Sequence, residues 1–245
     1  MDPFPIPAPA FDGRSRDVGA GAAFEWLRLG WGIFLANPGV WIASAVILIV
    51  GFLALSVVWL AGPLLACLLT PVVGAGLLAM CRKASASGTV ELQDLAAGFR
   101  AGTTPLIFLG LIFMAAMLAI NLVVFVLFSG SLAGGMMMAG PAGLGVLLGG
   151  SLLAMLLSSI LLVPLAMAMW FAPALVFFNN MPPVDACKAS LNACLRNILP
   201  FLILGLVIFV LAFFAALPVG LGFLVLIPVL AGTLYASYQD VFLAH

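Results

Sequence analysis

Few side chains in this sequence could do chemistry, and the most conspicuous group is a run of three methionines. Met136, Met137 and Met138 follow one another inside a long uncharged stretch. Thioethers are soft ligands that suit Cu(I). However, three adjacent side chains do not all face one point in any regular structure, and no His or Cys assists them. We therefore favour an apolar outer loop over a copper site, and we predict neither a metal nor a cofactor.

The cysteines also favour a structural role over a chemical one. Cys67, Cys81, Cys187 and Cys194 form no CxxC pair, and the single histidine is His245. A zinc site with the usual ligand types is therefore not expected. Palmitoylation near the membrane surface is one alternative, and small buried apolar side chains are the other. The sequence holds no phosphate-binding loop, nucleophile elbow or metalloprotease motif, so we expect no enzymatic activity.

The elements that position these residues are expected to be membrane helices. The 245 residues are 66% hydrophobic and 7% charged, whereas soluble domains have about 25% charged residues. A helix crosses a ~30 Å hydrocarbon core with about 20 apolar residues. Six stretches qualify, at about 38–60, 62–80, 105–128, 152–178, 198–217 and 220–238. We predict an all-α integral membrane protein, with a flexible cytosolic tail over residues 1–21 and one six-span domain over residues 22–245.

The charged residues predict the orientation of these spans. Every basic residue falls before the first span, between the second and third, or between the fourth and fifth. The connections near 61–63, 129–150 and 217–221 hold no charge. The positive-inside rule then places both termini in the cytoplasm. The net charge is zero, so nothing indicates a nucleic acid partner.

A common plan recurs three times along the chain. The segments FEWLRLGWGIFLANP, ELQDLAAGFRAGTTP and VDACKASLNACLRNILP are each charged and amphipathic. Each of them ends on a proline: Pro38, Pro105 and Pro200. The second span after each segment has an internal proline: Pro71, Pro164 and Pro228. This order predicts a threefold repeat of an interfacial helix and a helical hairpin. The alternative is that apolar helices simply look alike.

The three amphipathic segments are expected to lie in the headgroup zone as helices, at about 22–36, 91–102 and 184–196. Trp26 and Trp31 suit that depth. Phe24, Leu27, Trp31 and Leu35 are predicted to line the apolar face of the first helix, with Arg28 opposite. Phe99 belongs to the apolar face of the second. Each segment could instead be the cytosolic end of a long tilted span. The proline after each segment argues against such continuity.

Asn121 is the most polar side chain that falls within a predicted span, because the spans contain no Asp, Glu, Lys, Arg or His. An amide in an apolar helix needs a hydrogen-bond partner. We expect a bond to another helix, with substrate contact as the alternative.

The segments RNILPFLILGLV and ANPGVWIASAVIL, each behind an amphipathic helix, carry a family resemblance. They resemble a broad group of bacterial inner-membrane proteins that includes proteobacterial six-span families of unknown function. The group also includes the membrane domain that accompanies some glycerophosphodiester phosphodiesterases. The resemblance implies an all-helical domain in the bacterial inner membrane without established catalysis. The phosphodiesterase domain itself is absent, because its acidic and histidine metal ligands are missing.

Two functional hypotheses follow from these observations. The first is a non-catalytic scaffold, assembly partner or envelope-homeostasis factor. The second is a facilitator or channel for a small neutral or apolar solute. The expected partners are membrane lipids and a protein at the cytosolic face, and the sequence leaves the oligomeric state open.

Overall fold

The computed structural model describes residues 14–59, 61–100, 102–138 and 140–243, and nine α-helices account for most of them. The helices are α1 (Ala22–Ala36), α2 (Pro38–Ser56), α3 (Ala61–Ser87), α4 (Ala97–Arg100), α5 (Thr103–Met137), α6 (Pro141–Asn179), α7 (Pro183–Arg196), α8 (Ile198–Ala216) and α9 (Phe223–Tyr238). A 3₁₀ helix (Leu92–Ala96) leads directly into α4, and a π-helix (Gln239–Leu243) continues α9.

Six of these helices are long and apolar enough to cross a membrane. They are α2, α3, α5, α6, α8 and α9, the last together with its π-helical extension. The all-α fold with six membrane helices is therefore confirmed. The threefold repeat stays a prediction.

The Asn37-Pro38 pair separates α1 from α2. Pro38 is the first residue of α2, where its missing N–H costs nothing, because the first N–H groups of a helix have no partner within the helix. Asn37 leaves helical geometry, with φ −147° and ψ 60°. Its side chain Nδ2 donates to the Gly88 carbonyl at 2.6 Å. The junction is thus tied to the connection that follows α3.

The spans form three hairpins, α2–α3, α5–α6 and α8–α9, and α9 is the most buried of the six. Helices α1, α2 and α3 all pack against α9. The core contains Trp26, Trp41, Phe171, Tyr238 and Phe242, and each of these side chains is almost fully buried. This core lies toward the end of the bundle that carries the charged residues, which we call the charged end. The opposite end is called the uncharged end.

Two spans are much longer than expected. Helix α5 has 35 residues and α6 has 39, whereas the predicted spans covered 105–128 and 152–178. The predicted outer loop is also wrong over most of its length, because the two helices continue to Met137 and from Pro141. Small residues allow α5 and α6 to pack against each other over this additional length. Gly143 is buried against the carbonyls of Met138 and Gly135, so the two helix backbones approach closely up to the turn.

Candidate functional site

The charged end is assembled from segments far apart in the chain, and we call this assembly the belt. It consists of residues 14–21, α1, the 3₁₀ helix with α4, α7, and residues 239–243. The belt includes the last part of the segment predicted to be a flexible tail. That prediction is wrong for residues 14–18, which are bonded to two other parts of the chain. Residues 1–13 of the predicted tail lie outside the described residues.

Arg16 and Asn197 hold the N-terminal segment in place. Arg16 Nε donates to the Asp240 carbonyl at 2.6 Å, its guanidinium also pairs with the Asp240 carboxylate, and its backbone N–H donates to the Val241 carbonyl at 2.9 Å. Asn197, which is 2% exposed, accepts from the Val18 N–H at 2.7 Å and donates to the Arg16 carbonyl at 3.0 Å. Such bonds to a buried amide are costly to leave unmade, so the segment is an integral part of the bundle.

Trp26 lies in the core at the charged end and not on the exposed face of α1, and its position at headgroup depth stays a prediction. It is 1% exposed, and its ring packs 5.3 Å from that of Phe201. The indole Nε1 donates to Asp240 Oδ2 at 2.8 Å. Asp240 therefore receives hydrogen bonds from both Arg16 and Trp26, and it joins the N-terminal segment, α1 and the end of α9.

Helix α1 rests on α9 through a contact between two glycines. A Cβ added to Gly30 would lie 2.6 Å from the Thr233 backbone N, and one added to Gly232 would lie 2.8 Å from the Gly30 Cα. Only residues without a side chain allow this approach. The predicted apolar side chains of α1, such as Phe24 and Trp31, remain exposed on another face. Helix α1 therefore has two apolar faces, one packed on α9 and one free to face lipid.

Helix α7 is joined to the backbone of α6 by a buried hydroxyl. Ser190 Oγ donates to the Met167 carbonyl at 2.6 Å and accepts from the Phe171 N–H at 2.9 Å. A regular α-helix pairs these two backbone groups with each other. The packed face of α7 includes Ser190, Ala193 and Cys194.

The two cysteines of α7 are poor nucleophiles. Burial raises the pKa of the Cys194 thiol to about 12, and burial also raises the pKa of Cys187. The thiolate is the reactive form of cysteine, so both thiols are protonated near neutral pH. This chemistry favours the packing role over palmitoylation.

The 3₁₀ helix of the belt is held by a reciprocal cap. Asp94 Oδ2 accepts from the Glu91 N–H at 2.8 Å and from Lys83 Nζ at 2.9 Å. Burial alone would raise the pKa of Asp94, but the bonds from Lys83 and from the Glu91 backbone outweigh it and lower that pKa. The segment predicted as one helix over residues 91–102 is thus two short elements, a 3₁₀ helix and α4.

The other residues that were singled out in the amphipathic segments, Arg28, Trp31 and Phe99, lie at the surface. Arg28 pairs with Glu25 at 2.6 Å, and this bond lowers the pKa of the Glu25 carboxyl. Trp31 is 46% exposed and Phe99 is 50% exposed. Each of these side chains faces the surroundings of the bundle.

The structure places the six predicted prolines in two ways. Three lie in the first turn of a span: Pro38 in α2, Pro105 in α5 and Pro200 in α8. Three lie inside a span: Pro71 in α3, Pro164 in α6 and Pro228 in α9. Among the internal ones, Pro71 and Pro228 are buried and Pro164 is exposed.

The second candidate surface is a part of the α5–α6 hairpin that extends past the rest of the bundle. Gly110 of α5 touches the carbonyl of Leu68 in α3. From Leu68 to the start of α3 at Ala61 is seven residues, so α5 reaches the level of Ala61 near residue 117. It then continues for about 20 residues, or about 30 Å, to Met137. We call residues 118–137 and 141–163 the arm.

The arm is held together by its own small residues, and its outer surface is apolar. Ser131 lies against Gly150, where an added Cβ would collide with the serine side chain. The chain from residue 103 to residue 179 contains no charged residue. In the most apolar stretch of α5, no residue is buried. Large side chains such as Phe125 and Leu148 are more than 60% exposed.

Asn121 lies at the base of the arm, and the predicted bond to another helix is absent from the described part of the chain. Its Nδ2 instead donates to the Met117 carbonyl of its own helix at 2.8 Å. The side chain is exposed.

The methionine run lies at the tip of the arm. Met136 and Met137 end α5, Met138 follows it, and all three side chains are exposed. Among the described residues, no group of three or more His, Cys, Asp or Glu side chains could hold a metal ion.

A groove of about 510 Å³ lies between α2, α3 and α9. Its lining is apolar apart from Thr70, whose hydroxyl donates to the Ala66 carbonyl at 2.7 Å. The groove can therefore accept an apolar molecule, and it offers no charge or free hydroxyl to a polar one.

The chain is 31% identical over 227 residues to a probable inner membrane protein of Burkholderia thailandensis. The match covers 90% of this chain and 83% of that protein. The chain belongs to the family of that protein. This family membership and the six apolar helices identify an integral protein of the inner membrane.

No family model matches the chain, and no solved structure matches it. The inner-membrane part of the sequence-based resemblance is thus confirmed by the Burkholderia family member. The link to the membrane domain of glycerophosphodiester phosphodiesterases stays a prediction.

Proposed function

We propose that this inner-membrane protein is a non-catalytic scaffold, and that the arm is its docking surface. The belt faces the cytoplasm in this proposal, in line with the positive-inside rule. The arm then lies on the opposite side of the membrane and presents a rigid apolar surface to another membrane protein.

The observation that carries this proposal is the length of the arm. Helices α2 and α8 have 19 residues each, which matches a ~30 Å hydrocarbon core. Helix α5, with 35 residues, is about 52 Å long. Tilting it into the same core would take about 55°, whereas spans tilt by about 0–40°. An apolar surface that lipid does not cover marks a protein interaction site.

Site-specific photocrosslinking in native membranes tests the proposal. Leu148 and Leu152 of the arm are 62% and 61% exposed, and Leu202 and Leu206 of α8 are 63% and 66% exposed. A photoreactive residue at either arm position is expected to give discrete protein adducts. The α8 positions match them in residue type and exposure, and they are expected to react with lipid. Lipid adducts alone at all four positions would refute the docking role.

The groove favours a second candidate function, a facilitator for a small apolar solute. Val73 and Gly74 line the groove in α3. Val73→Trp should fill it and should reduce labelling of groove residues by a diazirine-bearing fatty acid. Equal labelling of the variant and the unchanged protein would count against this function.

A further inference from the structure

We propose that the partner of the arm is a second copy of this chain. This inference rests on the proposed docking role and names its partner. Two copies inserted with the same orientation hold their arms at the same height. Each therefore brings an apolar surface of matching length, about 30 Å beyond the start of α3.

The electrostatics of the arm permit contact between identical surfaces. Identical charged patches would repel each other across a two-fold axis, since the same residues meet in such an interface. The arm avoids this repulsion because residues 103–179 contain no charged side chain. By contrast, the belt carries charged groups such as Arg28 and Lys188 on its surface. The neutral arm is the better surface for self-association.

The area of the arm suffices for a stable dimer. Two helices about 30 Å long and about 10 Å wide present a face of about 600 Å². Two such faces bury about 1,200 Å² in total, which reaches the lower limit of stable protein interfaces. Asn121 at the base adds an exposed amide, and such side chains hydrogen-bond across helices in membranes.

Two glycines of the arm offer a substitution that the single chain tolerates. A Cβ added at Gly145 or Gly149 meets no atom within 4 Å. Both glycines lie on α6, four residues apart, a spacing that allows close helix approach. Gly205 of α8 is equally open. The same replacement at Gly205 is therefore a matched control for helix propensity and added apolar surface.

The test uses the full chain, purified and reconstituted in phosphatidylethanolamine–phosphatidylglycerol vesicles. Energy transfer between donor-labelled and acceptor-labelled copies is measured as the protein is diluted in lipid. The unchanged protein is expected to self-associate. The double substitution G145I with G149I is expected to weaken association about tenfold, and G205I is expected to stay within about twofold of the unchanged protein.

Three results would overturn the inference: a monomeric unchanged protein, a double variant that associates normally, or a G205I variant that is weakened equally. A second readout guards against misfolding of the glycine variants. Leu148→Cys is expected to form a disulfide between copies under mild oxidation, whereas Leu206→Cys is not. Equal crosslinking of the two variants would also contradict the inference.

The outcomes separate this inference from the proposed function. A protein that is monomeric in vesicles, but whose arm crosslinks to a different protein in cells, refutes self-association and keeps the scaffold. Absence of protein adducts from the arm in cells refutes the scaffold, and with it the inference that rests on it.

Discussion

Gly30 sits where α1 crosses α9, and replacing it by alanine should separate the two helices. An added Cβ would lie 2.6 Å from the Thr233 N, the Thr233 Oγ1 and the Val229 carbonyl oxygen, whereas ordinary contact begins at 3.4 Å. Two of these three atoms belong to the α9 backbone and cannot rotate away. Helix α1 must therefore move outward by nearly 1 Å, which strains the bond from Trp26 to Asp240 as well.

The magnitude follows from two opposing effects. Alanine stabilises a helix interior by about 1 kcal/mol relative to glycine. Overpacking a well-packed contact costs about 1–3 kcal/mol. Gly32 lies two residues further along α1, and a Cβ there meets nothing within 4 Å. Gly32→Ala therefore has the first effect alone, so Gly30→Ala should be less stable than Gly32→Ala by about 1–3 kcal/mol.

Thermal unfolding in lipid nanodiscs, followed by circular dichroism, measures this difference. For a chain of this length, 1 kcal/mol shifts the Tm by about 2–4 °C. The Tm of Gly30→Ala should thus lie about 2–12 °C below that of Gly32→Ala. Equal Tm values for the two variants would refute the close contact between α1 and α9.

Three further predictions concern the belt. Ser190→Ala should cost about 1–3 kcal/mol, because it removes the buried hydrogen bonds that join α7 to the backbone of α6. Ser159→Ala, whose hydroxyl bonds its own exposed helix, should be nearly neutral by the same unfolding measurement. Trp26→Phe should lower stability by about 1–2 kcal/mol through loss of the bond to Asp240, and an unchanged Tm would contradict that role. The pKa of Asp94 is lowered in the folded state, so its stabilising effect is present above its ordinary pKa and is lost as the pH falls through the folded value. The protection factors of the amides in residues 92–96 against hydrogen exchange should fall over that acidic range, and Asp94→Asn should remove this pH dependence.

The six spans could be predicted because hydropathy and charge placement act over long segments. About 20 apolar residues are needed to cross the membrane, and the charged residues mark where each hairpin returns to the same side. The break between α1 and α2 was equally predictable, since proline restricts the residue before it. Asn37 occupies that position and leaves helical geometry.

The packing of α1 could not be predicted from its hydrophobic pattern. The stripe through Phe24 and Trp31 is real, but it lies on the exposed face. The packed face is centred on Gly30, and a residue without a side chain adds nothing to a hydrophobic stripe. The hydrogen-bond partner of Trp26 could not be predicted for a different reason. Asp240 lies 214 residues away in the chain, so only the tertiary fold brings the two together.

The length of the arm was missed because its sequence offers no boundary. Residues 129–150 contain several glycines and no charge, which resembles a loop. Those glycines instead permit close packing between α5 and α6, as at Gly143 and Gly150. Glycine is thus ambiguous between a turn and a close helix contact until its neighbours are known. The belt bonds of Arg16 were missed similarly, since a proline-rich, charged terminus is typical of a solvated tail.

A second copy of this chain, and not lipid, is expected to cover the arm in vesicles that contain this protein alone. A nitroxide at Leu148→Cys in such vesicles reports this coverage through its collisions with dioxygen and with a water-soluble nickel complex. Both reagents are expected to have low access to Leu148. A nitroxide at Leu206→Cys of α8, equally exposed in the single chain, should collide freely with dioxygen. The claim would be contradicted if Leu148 showed the same high dioxygen access as Leu206, because the arm would then be surrounded by lipid.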